Sequence, residues 1–249
     1  MKKYDKLLLM AIIIISLFGT LMIYSSSYVW AEYKFDDPYK YLKSQAIFLI
    51  LGYIIMFIVS TIPYQKYKKF ANVIFGICLL MLILVLIPGI GTVRNGSRSW
   101  FGIGGFGIQP SEFTKLGLII FAAKYLSNNR GDLKDIKKGV LPILAVLILV
   151  FGLIMLEPDF GTGVVIVMTI IVLLFVSGVK INFFIKLGVL GLFGVALLIF
   201  IAPYRMERII SFLNPWTDPL GSGFQIIQSL YAIGPGGLLG LGFGNSIQK

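Results

Sequence analysis

Seven long apolar runs determine what this chain can fold into. They cover residues 7–24, 42–62, 70–87, 111–126, 140–156, 163–179 and 181–202. A helix of about 20 apolar residues crosses the hydrocarbon core of a bilayer. Only 13% of the 249 residues are charged and 57% are hydrophobic, which excludes a water-soluble domain. The sequence therefore predicts an all-α polytopic membrane protein. About seven transmembrane helices are expected in a single integral-membrane domain over residues 1–249.

The first run has the length of a transmembrane helix but lies where a signal peptide would lie. Three lysines precede it, and Tyr28 and Trp30 follow it. Aromatic residues are common at the membrane–water interface, and no clear cleavage site follows the run. We therefore predict that residues 7–24 form a retained first span.

Two residue types on which many enzymes depend are scarce. The chain has no histidine, and its one cysteine, Cys78, lies inside an apolar run. An internal disulfide and a Cys-His zinc site are therefore excluded. Acid–base chemistry is left to carboxylates, lysines or tyrosines. We expect no cofactor and assign no metal ligand, and the sequence leaves open whether a divalent cation is needed.

The basic residues lie mainly on alternate connections between the runs. Residues 1–6, 64–69, 124–138 and 179–186 carry 13 of the 22 Lys and Arg residues and 3 of the 11 Asp and Glu residues, a net charge of +10. The remaining residues have a net charge of +1. Because cytoplasmic loops are enriched in Lys and Arg, this asymmetry predicts a cytoplasmic N-terminus and an external loop at residues 203–249. Contact with the lipid bilayer explains the basic face, and no nucleic-acid-binding pattern is present.

The polar stretch at residues 204–228 contains the strongest candidate for a catalytic residue. Turn-forming pairs such as Asn-Pro, Asp-Pro and Gly-Ser bend the backbone at several fixed places and are expected to hold Asp218 in position. Arg205 and Arg208 lie upstream, and Gln225 lies downstream. Asp218 could act as a base or as a cation ligand for an anionic substrate. The alternative is an aspartate that only forms a turn or caps a helix, because Asp before Pro is common in turns.

A second loop on the same predicted face, at residues 88–109, is rich in glycine. It contains Arg94, Arg98 and Trp100 among seven glycines. Glycine lets a backbone approach a ligand closely, and guanidinium groups bind phosphate in a bidentate manner. The loop is therefore a candidate substrate-binding segment. The alternative is that the glycines only make it flexible.

Two short motifs add acidic candidates on this face. In Gln-Pro-Ser-Glu-Phe-Thr-Lys, the proline suits the first turn of a helix, so that Glu112 and Lys115 share one helix face. Such a pair at a membrane entry is expected to face protein or a water-filled cavity, as a structural ion pair or as part of a site. In Glu-Pro-Asp-Phe-Gly-Thr, Asp159 is expected to cap the next helix, and Glu157 is freer to point inward as a secondary candidate.

The end of the chain is apolar but unsuited to a spanning helix. Residues 226–244 contain six glycines and Pro235, and every backbone polar group in lipid needs a partner. We predict a re-entrant or interfacial segment here. The chain then stops at Lys249 after a loop of more than forty residues, which is expected of a fragment.

Four motifs carry a resemblance to a known family. They are NGSRSW (residues 95–100), QPSEFTK (109–115), EPDFGTG (157–163) and the segment from Asn214 to Lys249 that begins NPWTDPLGSGFQ. In this order the chain resembles the SEDS family (shape, elongation, division and sporulation) of bacterial cytoplasmic-membrane proteins, most of all its FtsW/SpoVE branch. The resemblance covers the whole chain. It implies a fold of roughly ten spans, of which the C-terminal part would be absent here.

The resemblance implies a peptidoglycan glycosyltransferase that polymerises lipid II at the outer face of the membrane. It also implies a class B penicillin-binding transpeptidase and other division or sporulation membrane proteins as partners. Asp218 matches the essential aspartate of the family, which makes it the expected catalytic base. The expected substrate-binding residues are Arg94, Arg98, Trp100, Glu112, Lys115, Glu157, Arg205, Arg208 and Gln225. A lipid II flippase and a non-catalytic scaffold for cell-wall enzymes are the alternative functions.

Overall fold

The computed structural model describes residues 4–94, 96–103, 106–201, 210–237 and 240–245. The chain divides into two compact units. The terminal unit contains residues 1–61 and 192–249, and the central unit contains residues 62–191. Each unit has its own packing and its own candidate residues.

Seven helices occupy the seven apolar runs. They are α1 (Lys6–Phe35), α2 (Lys40–Thr61), α3 (Tyr64–Leu86), α4 (Pro110–Asn128), α5 (Leu141–Leu156), α6 (Phe160–Val176) and α7 (Ile181–Ile201). A 3₁₀ turn at Arg130–Lys134 and a π-helical turn at Ile136–Val140 precede α5. Among the described residues, α1, α2, α3 and the helical stretch Ile136–Leu156 are long and apolar enough to cross a membrane.

The first helix continues well beyond the predicted span. Asp5 caps its start by accepting hydrogen bonds from the backbone N–H groups of Leu7 and Leu8. The serines after the apolar run do not end it, and the Ser27 hydroxyl donates to the carbonyl of Ile23 (2.6 Å) inside the helix. The helix stops only where Asp36 adopts a left-handed conformation with φ 54°.

The central unit is held together by α3, α4, α5 and α6. Its core consists of fully buried aliphatic side chains: Leu82, Leu118, Val140, Ile143, Val150, Ile154, Ile166, Ile170 and Leu174. A Cβ at Gly117 of α4 would lie 2.8 Å from Sγ of Cys78 on α3, so this glycine lets the two helices approach closely. The rings of Phe75 and Phe121 stack beside that contact, with their centroids 4.8 Å apart. Small residues at such contacts are typical of helix packing in membranes.

The glycine-rich loop contains a small antiparallel sheet, which the all-α prediction lacked. Strands β1 (Thr92–Arg94), β2 (Ser97–Ile103) and β3 (Phe106–Ile108) pair in sequence order. The signal for β2 is the alternation of Ser97 and Ser99 with Arg98 and Trp100, in which Ser99 is buried. The two ladders pair the described strand residues of the loop.

In the terminal unit, α1 and α2 pack together, and the glycine-rich end of the chain returns to α1. The hydroxyl groups of Ser16 and Tyr53 lie 2.5 Å apart between the two helices. The N–H of Gly244 donates to the hydroxyl of Ser25 (2.8 Å). Gly240, Gly242 and Gly244 all have positive φ values, which glycine adopts without strain. The returning segment therefore needs its glycines to follow this path.

The predicted re-entrant or interfacial segment contains one more helix. This helix, α8, runs over Phe224–Ile233, and a 3₁₀ turn at Gly234–Gly236 follows it. The α-helix ends before Gly-Pro-Gly because glycine is a poor helix former and proline removes a backbone donor. Whether this segment enters the membrane remains a prediction.

Candidate active site

The turn that carries Asp218 is compact and ordered by its own backbone. Residues 210–213 are helical, and a 3₁₀ turn at Pro215–Thr217 leads into Asp218. The N–H of Gly223 donates to the carbonyl of Asp218 (3.0 Å), and α8 begins at the next residue. The Asp218 backbone is therefore fixed between two short helical elements, as the turn-forming pairs predicted.

The Asp218 carboxylate accepts three hydrogen bonds within this turn. Oδ2 accepts from the backbone N–H of Ser222 (2.7 Å) and from its hydroxyl (3.1 Å). Oδ1 accepts from the backbone N–H of Gly221 (3.1 Å). The Ser222 N–H, followed by the Ser222 hydroxyl and the Gly221 N–H, lowers the pKa of Asp218. The side chain is exposed, so this acid is ionised at neutral pH and open to a ligand.

Two glycines leave the space that the carboxylate occupies. A Cβ at Gly221 would lie 2.8 Å from Cγ of Asp218 and would overlap Oδ2. A Cβ at Gly223 would lie 2.8 Å from the Asp218 carbonyl oxygen and would overlap the carbonyl of Pro215. Larger residues at either position would displace the turn. Gly221 and Gly223 are thus needed for the geometry of the acid.

A small cavity of about 150 Å³ lies beside the carboxylate. Its walls are formed by Ile210, Ser211, Thr217, Asp218 and Ser222. Since one water molecule in the liquid takes about 30 Å³, this volume suits a few waters or one polar group of a ligand. The Asp218 carboxylate faces this cavity.

The structure describes only some of the other candidate residues on this stretch. Gln225 is exposed on the first turn of α8. Trp216 is half-exposed and contacts Tyr231 edge to face, with ring centroids 5.9 Å apart. Arg205 and Arg208 lie outside the described residues. Their predicted contact with substrate stays a prediction.

In the central unit, the sheet brings Arg94 and Trp100 together. The guanidinium carbon of Arg94 lies 4.9 Å from the centroid of the Trp100 ring, a cation–π contact. A Cβ at Gly107 would lie 2.6 Å from Nη1 of Arg94 and 2.8 Å from the Trp100 ring. This glycine therefore makes room for the stacked pair rather than for a ligand. Arg98 is half-buried on β2, and its side-chain stem runs beside Gly91.

Glu112 and Lys115 form the ion pair that their spacing predicts. Nζ of Lys115 lies 2.9 Å from Oε1 of Glu112 on the first turns of α4. The Glu112 side chain is 53% exposed and the Lys115 side chain is 25% exposed. An exposed pair of this kind contributes little to stability. The pair could contact a ligand without leaving a buried charge behind.

The turn between α5 and α6 places its two acids in opposite environments. Asp159 caps α6 by accepting from the N–H of Thr162 (3.1 Å), as predicted, and it also accepts from Nε2 of Gln109 (2.8 Å). Glu157 points inward and is 0% exposed, and neither carboxyl oxygen has a hydrogen-bond partner among the described residues. Burial, followed by repulsion from Asp159, raises the pKa of Glu157 to about 8. In this conformation Glu157 is therefore a neutral buried acid that no ligand can reach.

Sequence reasoning named the Gly-Ser pair as a turn former but did not identify Gly221 and Ser222 as hydrogen-bond donors to the Asp218 carboxylate. It also did not identify Ser211, which lies next to Ser222. A signal was present, because an aspartate followed three and four residues later by Gly-Ser is suited to a side-chain-to-backbone turn. In the part of the chain that the structure describes, no cluster of three or more Asp, Glu or Cys side chains could hold a metal ion.

Comparison with known proteins identifies the family. The family model described as "Cell cycle protein", FtsW/RodA/SpoVE, matches residues 5–249. Stage V sporulation protein E of Bacillus subtilis is 50% identical over 245 residues, which cover 98% of this chain and 67% of that protein. A probable peptidoglycan glycosyltransferase FtsW of Geobacter sp. is 37% identical over 246 residues, covering 99% of this chain and 67% of that protein.

Two solved structures have the same fold. A chain from a peptidoglycan synthase complex that coordinates polymerization and crosslinking has a TM-score of 0.63 and 33% identity, covering 88% of this chain and 64% of that chain. The rod shape determining protein RodA of Thermus thermophilus has a TM-score of 0.56 and 32% identity, covering 74% of this chain and 58% of that protein. The chain thus spans about two thirds of the length of these relatives. It is a multi-pass membrane protein of the FtsW/RodA/SpoVE, or SEDS, family, and it belongs to the FtsW/SpoVE branch.

Proposed function

We propose that the full-length protein is a peptidoglycan glycosyltransferase that polymerises lipid II into glycan strands for cell division or sporulation. The support comes from the relatives named above, which include peptidoglycan glycosyltransferases and a sporulation protein. The observation that carries the proposal is the exposed, ionised Asp218 carboxylate, which three donors hold in one orientation. Asp218 is the proposed general base.

The proposed reaction needs one base and no covalent intermediate. The hydroxyl of the acceptor sugar gives its proton to Asp218, and its oxygen forms a bond to the anomeric carbon of the donor. The bond from that carbon to the lipid pyrophosphate breaks, and the pyrophosphate leaves with the electron pair. Inversion at the anomeric carbon is consistent with a lone carboxylate rather than a nucleophilic pair. The proposal requires no cofactor.

The leaving pyrophosphate requires positive charge. Guanidinium and ammonium groups stabilise such an anion where its charge develops. The proposed cations on the same predicted membrane face are Arg94, Arg98, Lys115, Arg205 and Arg208. Trp100, Glu112 and Gln225 are proposed to orient the sugars or the cations. For Glu157, a contact with substrate would require the turn between α5 and α6 to open.

The test is polymerisation of lipid II by the purified full-length protein with its transpeptidase partner in detergent. Asp218→Asn should lower the rate by roughly 10²–10⁴-fold, because the amide cannot accept the proton. Asp37→Asn is the matched control. Asp37 also precedes a proline in an exposed turn of the terminal unit, and it pairs with Lys43 (2.9 Å). The Asp37→Asn variant should retain the polymerisation rate of the parent protein. Neither Asp218→Asn nor Asp37→Asn should weaken binding of the transpeptidase partner.

The same assay separates the alternative functions. Detergent removes the two sides of a membrane, so a flippase would show no polymerisation that depends on Asp218. A scaffold would bind the partner normally with either variant and would have no polymerisation to lose. Near-normal polymerisation by Asp218→Asn would refute the base assignment. Asp218 would then be a residue that only forms the turn.

We also propose the orientation of the chain, with a cytoplasmic N-terminus and an external Asp218 turn. The charge difference of +10 against +1 supports it. In a Cys78→Ser background, cysteine at Leu220, which is 90% exposed, should react with an impermeant thiol reagent in intact cells. Cysteine at Asn128, which is also exposed, should react only after lysis. The reverse pattern would overturn the orientation.

We further propose that a class B penicillin-binding transpeptidase and other division or sporulation membrane proteins are partners. The similar chain from a peptidoglycan synthase complex supports this proposal. The expected result is co-purification of the transpeptidase with both the parent and Asp218→Asn. Recovery of the full-length protein without it from cells that express both would contradict the proposal.

A further inference from the structure

The donors around Asp218 are distributed unequally between its two oxygens. A carboxylate oxygen has two lone pairs in its plane, so the group offers about four acceptor positions. Ser222 fills both positions on Oδ2 with its N–H and its hydroxyl. Gly221 fills one position on Oδ1. Among the described residues no donor fills the second position on Oδ1.

The hydroxyl of Ser222 has one proton, and its direction can be assigned. Since that proton is donated to Oδ2 of Asp218, the short contact between the hydroxyls of Ser222 and Ser211 (2.5 Å) requires Ser211 to be the donor. Ser211 is only 4% exposed, so water has little access to replace Ser222 as its partner. The hydroxyls form a directed chain from Ser211 through Ser222 to the carboxylate.

No other charged side chain among the described residues competes for Asp218. The cavity beside it is lined, apart from Asp218, by the aliphatic Ile210 and by the hydroxyl groups of Ser211, Thr217 and Ser222. The hydroxyl of Thr217 donates elsewhere, to the carbonyl of Asn214 (2.9 Å). Among the described residues, Ser222 and Gly221 are the donors that orient the carboxylate side chain.

We propose that Ser222, oriented by Ser211, is a positioning residue for the base: it holds Oδ2 so that the proton of the acceptor hydroxyl is transferred to Oδ1 of Asp218. This inference rests on the proposed function. In the transfer, the O–H bond of the acceptor breaks and an O–H bond forms on Oδ1. The acceptor oxygen uses its electron pair to form a bond to the anomeric carbon of the donor sugar. The bond from that carbon to the lipid pyrophosphate breaks, and the pyrophosphate leaves. Ser222 does not touch the reacting atoms.

The role predicts a specific change in the dependence of the rate on pH. Asp218 works as a base only when ionised, so activity is present above its pKa and lost below it. The Ser222 hydroxyl lowers that pKa. Removing the hydroxyl therefore raises the pKa of Asp218 and moves the acidic limb of the kcat profile to higher pH. A residue that only stabilised the fold would leave the limb in place.

The experiment measures lipid II polymerisation against pH with the full-length protein and its transpeptidase partner. Ser222→Ala should lower kcat by about tenfold, the loss of one hydrogen bond to a charged group, with little change in KM. Its acidic limb should move upward. Ser222→Thr keeps a hydroxyl and should restore both. Ser229→Ala is the control, because the Ser229 hydroxyl only bonds to the carbonyl of Gln225 in its own helix.

The outcomes separate this inference from the function on which it rests. If Asp218→Asn is inactive and Ser222→Ala keeps the parent kcat and acidic limb, the positioning role is wrong and the base assignment stands. If Asp218→Asn keeps near-normal polymerisation, the base assignment fails and the positioning role fails with it; if the parent protein does not polymerise lipid II, the proposed function itself fails. Should Ser222→Ala fail to fold, Ser211→Ala tests the same chain. It should move the acidic limb in the same direction by a smaller amount, and an unmoved limb would refute the inference.

Discussion

Two acids that each precede a proline, Asp218 and Glu157, are in opposite environments. Asp218 is exposed, has three hydrogen-bond donors, and has a lowered pKa. Glu157 is completely buried, has no hydrogen-bond partner among the described residues, and has a pKa of about 8. Both turns place an acid directly before a proline. The difference lies in what surrounds each carboxyl group.

This difference assigns the two acids to different roles. A carboxylate that is ionised, fixed and exposed can take a proton from a substrate. A carboxyl group that is neutral and buried resembles a polar packing group, whose ionisation is opposed by the surrounding protein. Environments that push the pKa values of two acids apart are a common basis for separate roles. We therefore propose a chemical role for Asp218, and we propose that Glu157 makes the stability of the fold depend on pH.

The largest predicted effect concerns Glu157 and the dependence of stability on pH. The pKa of Glu157 is raised from 4.5 to about 8. Between these values the folded protein keeps a proton that the unfolded chain releases, so stability falls as pH rises from 4.5 to 8. The shift corresponds to at most about 5 kcal/mol, at about 1.4 kcal/mol per unit. Glu157→Gln removes this slope and should raise the melting temperature at pH 8 relative to the parent.

The measurement compares thermal unfolding at pH 5 and pH 8 for the parent and for Glu157→Gln. Glu112→Gln is the control, because the Glu112 carboxyl is exposed. Its removal should leave the difference in melting temperature between pH 5 and pH 8 the same as in the parent. Equal slopes for the parent and Glu157→Gln would mean that Glu157 is solvated. The contrast with Asp218 would then disappear.

The second effect concerns the space around Asp218. Gly221→Ala places a Cβ where Oδ2 now lies, so the carboxylate must move by about 1 Å. A displacement of this size can reduce a reaction rate by about 10²-fold. We expect a loss of about 10- to 100-fold in lipid II polymerisation, with normal binding of the partner. Gly234→Ala is the control, because a Cβ there meets nothing within 4 Å. Similar rates for both alanine variants would show that the position of the carboxylate is unimportant.

The helices were predictable from the sequence because each apolar run forms one helix. The boundaries were less predictable where polar residues follow a run. The run 7–24 continues as a helix to Phe35, and the serine hydroxyls after the run bond to carbonyl groups of that helix. The small sheet at residues 92–108 was missed because glycine is rare in strands, and its pairing depends on contacts such as Thr92 opposite Trp100.

The candidate site was predictable at the level of the acid but not of its surroundings. Turn chemistry and the family motif both led to Asp218. Its donors depend on how residues 218–222 fold back on the carboxylate, which motif spacing suggests but does not determine. The capping role of Asp159 was predicted because capping is local to one turn. The complete burial of Glu157 was not, because burial depends on packing between distant segments.

The smallest effect concerns Glu112 and Lys115, and it adds a third environment to the comparison. This acid is exposed like Asp218, but its partner is a cation 2.9 Å away instead of backbone donors. Exposed pairs at this helical spacing contribute about 0.2–1 kcal/mol. A double-mutant cycle of Glu112→Gln and Lys115→Met, measured by unfolding, should give a coupling free energy in that range.

The size of this coupling free energy shows whether Glu112 and Lys115 interact and whether they are desolvated. Strict additivity would mean that the two side chains do not interact in the folded protein. A coupling of several kcal/mol would mean that they are desolvated, because removing one partner would then leave an uncompensated charge.

Polymerisation by the same four proteins separates stability from substrate binding. If Lys115 contacts the pyrophosphate, Lys115→Met should raise KM more than Glu112→Gln does, because only the lysine contributes positive charge. Equal effects on KM would leave the pair a structural feature of α4.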